Sequence, residues 1–152
     1  MPPANRPQLA TVFDLEEAES CYAPQFGMAK DPVNLAGMVA ANVVRGDVNL
    51  AKWSELPDCG AFLLDVREEE EFRRGAIGTA VNIPLDQLRQ RLCELPKDRP
   101  IWVNCARGQR SYYAVRILQQ HGFDASNLSG GYHTWEVWYP EGLPSGEERV
   151  RR

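Results

Sequence analysis

The chain lacks the residue patterns that most readily assign a function. Among its 152 residues are two histidines, His121 and His133, and four cysteines, Cys21, Cys59, Cys93 and Cys105. No two cysteines form a C-x-x-C pair and neither histidine follows zinc-ligand spacing, so no zinc-site pattern is present. No stretch approaches the roughly 18 consecutive apolar residues of a membrane span. There is no G-x-G-x-x-G, and hence no dinucleotide fingerprint. Basic residues do not predominate: 17 Lys and Arg stand against 21 Asp and Glu, a net charge of −4. That balance argues against a general nucleic-acid binder, whose affinity comes from cations on phosphate. It leaves room for a local basic pocket.

What is present is ordinary globular composition, 43% apolar and 25% charged. A disordered chain, a collagen and a disulfide mini-protein are excluded. One domain of this length buries about 70% of the surface its open chain exposes, so a core forms without staples. The start, Met1 to Pro7, has no apolar stretch after Arg6 and does not read as an export signal. The expectation is a reduced, cytoplasmic protein with free thiols.

Three prolines in the first ten residues mark a loose lead-in. Thr11–Leu15 reads as a short strand and Tyr22–Gly27 as a loop. Asp31-Pro32 is an N-cap followed by a first-turn proline. With Leu35, Met38, Val39 and Val43 at helical spacing and Gly46 as the stop, a helix is predicted over Asp31–Arg45. From Val48 the pattern changes to short apolar runs between polar, helix-prone stretches. Strands are expected at Phe62–Val66, Ala80–Ile83, Ile101–Asn104 and Phe123–Leu128. Helices are expected at Glu68–Arg74, Leu85–Leu92, Tyr112–His121 and Gly130–Trp138. Such alternation predicts an α/β fold: a mostly parallel sheet with helices on both faces. The organisation is an N-terminal strand and helix appendage over 1–47, an α/β domain over 48–138 and a polar tail over 139–152.

The sharpest feature lies between a strand and a helix: Cys105-Ala106-Arg107-Gly108-Gln109-Arg110-Ser111. Sites in open α/β sheets gather at the carboxyl ends of strands. A thiol there faces unpaired N–H groups and the positive end of a helix dipole, and two arginines add charge. Each favours thiolate, making Cys105 a candidate nucleophile. Gly108 lets successive N–H groups converge into an anion nest. The bland alternative is a small core residue at a strand end.

Cys-x-x-Gly-x-Arg-Ser after a strand resembles the active-site loop of the rhodanese (sulfurtransferase) family. Leu64-Asp65-Val66-Arg67-Glu68, followed by Glu71-Phe72, is similar to that family's Asp-x-Arg signature. Gly75–Pro84 and Leu128–Trp135 are similar to its later segments, in order, over Val48–Trp138. Ala76 departs from the pattern, standing where a histidine is usual. The resemblance implies a rhodanese-like fold and transfer of sulfane sulfur through a persulfide on Cys105, from a small anionic donor to a thiol acceptor. It implies that residues 106–111 bind the anionic persulfide, with Arg107 at the rim. Arg110 is expected to turn inward toward Asp65 or Glu71, and Asp65, Arg67 and Glu71 to support the loop. Phosphatases of related fold use Cys-x5-Arg; here four residues separate Cys105 from Arg110, a ring better sized for sulfur. A non-catalytic rhodanese-like binding or regulatory module is the alternative.

Thr11–Asp47, with Phe13, Tyr22 and the Asp31–Arg45 helix, resembles the end of the dimerisation domain in flavin-dependent disulfide oxidoreductases of the coenzyme A disulfide reductase and persulfide reductase type. Some of these carry a rhodanese domain directly afterwards. That resemblance implies either an excised C-terminal piece or a natural short protein. It implies no cofactor in this chain, FAD and NADH belonging to a full-length fusion, and flavin-containing domains as partners. A homodimer through the appendage would cover the Leu35, Met38, Val39 and Val43 stripe. Tyr22 matches a tyrosine near the partner subunit's active site in those enzymes; the bland alternative is a strand and helix that simply pack on the sheet of the second domain.

Cys93 is expected in or near the core and Cys59 in an exposed turn. His121 reads as a helix-end residue. His133 is a candidate to approach the Cys105 loop. Trp102, Trp135, Trp138 and Tyr132 read as core, and Glu68–Glu71 as a solvated helix start.

Overall fold

A computed structural model describes residues 10–18, 31–58 and 60–140. The expectations for Cys21, Tyr22, the loop around it, Cys59 and most of the polar tail lie outside the described residues. The chain divides into two compact units, Met1–Asp47 and Val48–Arg152. No helix among the described residues is long and apolar enough to cross a membrane.

The first unit contains two helices, α1 (Val12–Glu17) and α2 (Pro32–Val44). The strand expected at Thr11–Leu15 is a helix instead. Thr11 and Asp14 form a reciprocal cap: Asp14 N–H donates to Thr11 Oγ1 at 3.2 Å, and Thr11 N–H to the Asp14 carboxylate at 2.7 Å. Satisfying two terminal donors at once outweighs the β preference of Thr, Val and Phe. α2 starts as expected, with the Asp31 carboxylate accepting from Val33 N–H at 2.8 Å. The helices touch at Gly37, where a Cβ would lie 2.5 Å from Glu16 N and 2.7 Å from Leu15 C. Asn34 Nδ2 donates to the Ala18 carbonyl at 2.6 Å, occupying one of the carbonyls that a helix end leaves open. Arg45 pairs with Glu16 at 2.6 Å. Gly37 and Ala41 are the buried positions of α2, while Leu35 and Val39 are exposed.

The second unit is a five-stranded, wholly parallel sheet with helices on both faces. Its strands are β1 (Asn49–Ala51), β2 (Phe62–Asp65), β3 (Val81–Asn82), β4 (Ile101–Asn104) and β5 (Ala125–Leu128), in the order β1-β5-β4-β2-β3. Strand β1 was not anticipated; at three residues, two of them exposed, it has no apolar run to show. The helices are α3 (Glu69–Arg74), α4 (Gln109–Gln120) and α5 (Gly131–Trp138). Side chains alternate across the sheet. Leu64, Ile101, Val103 and Ala125 face one core, covered by Val115 and Leu118 of α4. Leu63, Trp102 and Leu128 face the other, covered by Tyr132 and Trp135 of α5. Burying each such aliphatic side chain is worth about 1.5–3 kcal/mol.

Four expectations change here. Leu85–Leu92 is a series of turns rather than a helix, held mainly by three-residue bonds such as Gln87 N–H to Pro84 O at 3.0 Å. Leu88 is still fully buried, so the apolar spacing served packing rather than helix. α4 opens at Gln109, three residues before the expected Tyr112, because Gly108 with φ of 105° makes the turn into it. Trp138 is 60% exposed, not core. Tyr139, assigned to the tail, is tied down: its hydroxyl donates to Trp53 O at 3.0 Å.

Candidate active site

Parallel pairing aligns the carboxyl ends of β2, β4 and β5, so the three segments leaving them meet. β2 delivers Asp65 and Arg67, β4 delivers Cys105, and β5 delivers the turn Gly130-Gly131 into α5.

Cys105 is a free thiol, 2% exposed, at the floor of the loop that enters α4. Gly108 caps this helix without a side-chain hydrogen bond, and the sulfur takes the capping place. Gly108 N–H donates to Cys105 Sγ at 3.1 Å and the Ser111 hydroxyl lies 3.4 Å from it. Burial alone pushes the thiol up. The Ser111 hydroxyl and the main-chain N–H groups of Ser111, Arg107 and Gly108 outweigh burial and hold it below the ordinary thiol value. The donors that reach the sulfur thus come from three residues of the ring.

The ring is held in shape from outside. Tyr132 N–H donates to Cys105 O at 2.7 Å and His133 N–H to Ala106 O at 3.1 Å. In a trans peptide the N–H points opposite to the C=O. A carbonyl of Ala106 drawn toward α5 therefore turns the N–H of Arg107 inward, toward the sulfur. Gly131 permits this approach: a Cβ there would run into Cys105 O and lie 2.9 Å from Ala106 C and Arg107 N. His133 is the α5 residue expected to approach the loop, and it does so through its amide; the amide of Tyr132 has no side-chain signature, and the Gly-Gly pair is the signal available for it.

The arginines divide. Arg107 is exposed and forms no ion pair among the described residues. Arg110 turns to Glu71 and not to Asp65: Nη1 and Nη2 reach the two carboxylate oxygens at 2.6 and 2.7 Å. That two-point contact holds the Glu71 carboxyl down at about 2 and raises Arg110. Glu71 is therefore a partner of the loop and not only a solvated acid of α3. Asp65 instead pairs with Arg67, both buried, at 2.7 Å. Arg67 Nη2 also donates to Gly75 O at 2.6 Å, and Asn104 Nδ2 to Asp65 at 3.0 Å. Gln109 is exposed at the first position of α4. Ala76, at the departure from the family pattern, is half-buried beside Gly75.

The other candidates bring no side chain to the loop. Cys93 is exposed, against the expectation of a core or half-buried site, because its segment is a 3-10 turn (Leu92–Glu94) and not part of a packed helix. His133 meets the loop through its backbone, while its imidazole lies 3.5 Å from Glu136. His121 closes α4, its Nδ1 2.8 Å from Ile117 O. Among the described residues no group of three or more His, Cys, Asp or Glu is placed to hold a metal.

The chain is similar to known proteins. The family model described as "Rhodanese-like domain" matches residues 49–137. The structure of reduced CoADR-RHD from Bacillus anthracis is similar at 41% identity with a TM-score of 0.82, over 89% of this chain and 25% of that one. A NAD-dependent persulfide reductase from A. fulgidus is similar at 39% identity with a TM-score of 0.72, over 82% of this chain and 23% of that one. A protein named sulfurtransferase from Allochromatium vinosum is 38% identical over 75 residues, covering 49% of this chain and 70% of its own. The chain therefore spans about a quarter of each reductase. A match over 89% of the chain cannot be accommodated by residues 48–152 alone and takes in part of the first unit.

Proposed function

The chain belongs to the rhodanese-like domain family, and from that premise we propose that it is a sulfurtransferase domain whose Cys105 carries sulfane sulfur as a persulfide. The observation that carries this reading is the aim of Gly108 N–H and the Ser111 hydroxyl at the Cys105 sulfur. Donors so placed favour the thiolate before reaction and an anionic outer sulfur after it.

In the proposed cycle the Cys105 thiolate attacks the outer sulfur of thiosulfate. A Cys–S–S bond forms, the bond from that sulfur to the sulfonate breaks, and sulfite leaves with the electron pair. An acceptor thiolate, or cyanide, then attacks the outer sulfur and returns Cys105 as thiolate. Arg107, exposed at the rim, supplies the cation that draws an anionic donor in. Arg110, held by Glu71, and Arg67, held by Asp65, keep the loop in shape. Likeness to two reductase chains supports a place for this domain beside flavin-containing domains, where FAD and NADH would be held outside this chain. A working thiol needs a reducing compartment, which makes the cytoplasm the proposed location.

One observation favours the alternative of a non-catalytic module: Cys105 is only 2% exposed. Thiosulfate–cyanide transfer by the wild type and Cys105→Ser separates the two. The proposal expects turnover by the wild type and background rates for the variant. Equal transfer by both overturns it.

A further inference from the structure

Tyr132 touches both the buried Asp65–Arg67 pair and the peptide planes of the Cys105 loop. Its main-chain N–H donates to Cys105 O at 2.7 Å. Its ring lies 4.0 Å from the Arg67 guanidinium carbon and stacks on Trp135 with centroids 5.4 Å apart. Its hydroxyl sits where a Cβ on Gly75 would be, so residue 75 must be glycine for the ring to rest there. Arg67 is itself fixed, bonded to both oxygens of Asp65 and to Gly75 O, and is 3% exposed. The ring of Tyr132 is thus seated against a charge that cannot move.

We propose that Tyr132 is a positioning residue for Cys105: its ring, seated on Arg67, fixes the first turn of α5, and that turn fixes the direction of the main-chain N–H groups around the sulfur. The route is short. A seated ring places the N–H of Tyr132 on Cys105 O and that of His133 on Ala106 O. The second of these bonds orients the 106–107 peptide, whose N–H is one of the groups holding the thiol below its ordinary value. A residue that merely filled space at 132 would pack α5 on the sheet, and the ionisation of Cys105 would not depend on its π-face.

This inference rests on the reading of Cys105 as a working thiolate, and its test does not need sulfur transfer. The thiolate of Cys105 is titrated by ultraviolet absorbance in the wild type, Tyr132→Leu and Tyr132→Phe, with the same titration of Cys105→Ser subtracted. Tyr132→Leu removes the ring and keeps the backbone N–H; Tyr132→Phe keeps the ring face over Arg67. The expected result is a thiolate fraction on the rising limb lower in Tyr132→Leu by a factor of up to about five, the ceiling set by a guanidinium–ring contact of ordinary strength, with Tyr132→Phe restoring the wild-type curve. Superimposable curves for a folded Tyr132→Leu and the wild type overturn the proposal, as does a Phe variant that titrates like Leu. If Tyr132→Leu does not fold, Tyr132→Met fills the space without a π-face and carries the same two outcomes. A wild type that titrates low but takes no sulfur from thiosulfate would end the transfer reading and leave the positioning role standing.

Discussion

Ser111→Ala isolates one contribution to the state of Cys105. The Ser111 hydroxyl has two acceptors within reach, Cys105 Sγ at 3.4 Å and Gly108 O at 3.1 Å, and only one proton to give. With the thiol protonated, the proton belongs on the carbonyl. Once Cys105 ionises, the bond to sulfur becomes charge-assisted and the hydroxyl turns to it. The gain is the difference between a charged bond of about 1.5–3 kcal/mol and a neutral one of about 0.5–1.5 kcal/mol, or roughly 1–1.5 kcal/mol. That is about a tenfold change in the ratio of thiolate to thiol. Gly108 O keeps Tyr112 N–H at 3.0 Å, so the variant leaves no carbonyl orphaned and the fold should hold. Ultraviolet titration of Ser111→Ala should show about a tenfold smaller thiolate-to-thiol ratio on the rising limb, with the same plateau at high pH. An unchanged curve would refute the argument that the Ser111 hydroxyl helps to hold the Cys105 thiol below its ordinary value.

Three further outcomes follow from the same contacts. Glu71→Gln should destabilise the second unit by about 1–2 kcal/mol, the full effect of the depressed carboxyl being discounted for its partial exposure. Its pH dependence has a definite sign: a carboxyl lowered from 4.5 to about 2 adds stability above its unfolded value and loses it as pH falls through its folded one, so denaturant midpoints of wild type and variant should converge between those two pH values. Gly131→Ala puts a methyl against the main chain of residues 105–107 at φ of +60° and should cost about 2–4 kcal/mol in thermal or denaturant unfolding; a cost under ~0.5 kcal/mol would show that α5 does not press on the loop. Gly37→Ala should part α1 from α2 and speed hydrogen exchange at α1 amides, leaving those of β4 unchanged.

Much of the second unit could be read from the chain because its strands are apolar runs between turn residues. β2 and β4 were placed to within a residue, since Phe62–Asp65 and Ile101–Asn104 pack on both faces and carry no polar interruption. β1 was missed because an edge strand of three residues needs only one buried side chain. Leu85–Leu92 misled because leucines at helical spacing also suit a chain of turns lying over a core. Thr11–Leu15 reads as a strand by residue type, and the cap that Thr11 and Asp14 form three residues apart makes it a helix. At the site, Cys105 and its loop were legible from residue types, whereas the choice of Arg110 for Glu71 over Asp65 depended on Arg67 occupying Asp65 first. The amides of Tyr132 and His133 carry no side-chain signature, and only the fold brings them to Cys105 O and Ala106 O.

The central claim is that one sulfur atom, capped by main-chain and hydroxyl donors at the start of α4, accepts and releases another. Peptide mass spectrometry after exposure to thiosulfate, then to an acceptor thiol, tests it most directly. The account predicts a gain of one sulfur atom on the peptide bearing Cys105, lost again with the acceptor and never gained by Cys105→Ser. A Cys105 peptide that stays unmodified while exposed Cys93 takes up the sulfur would contradict it.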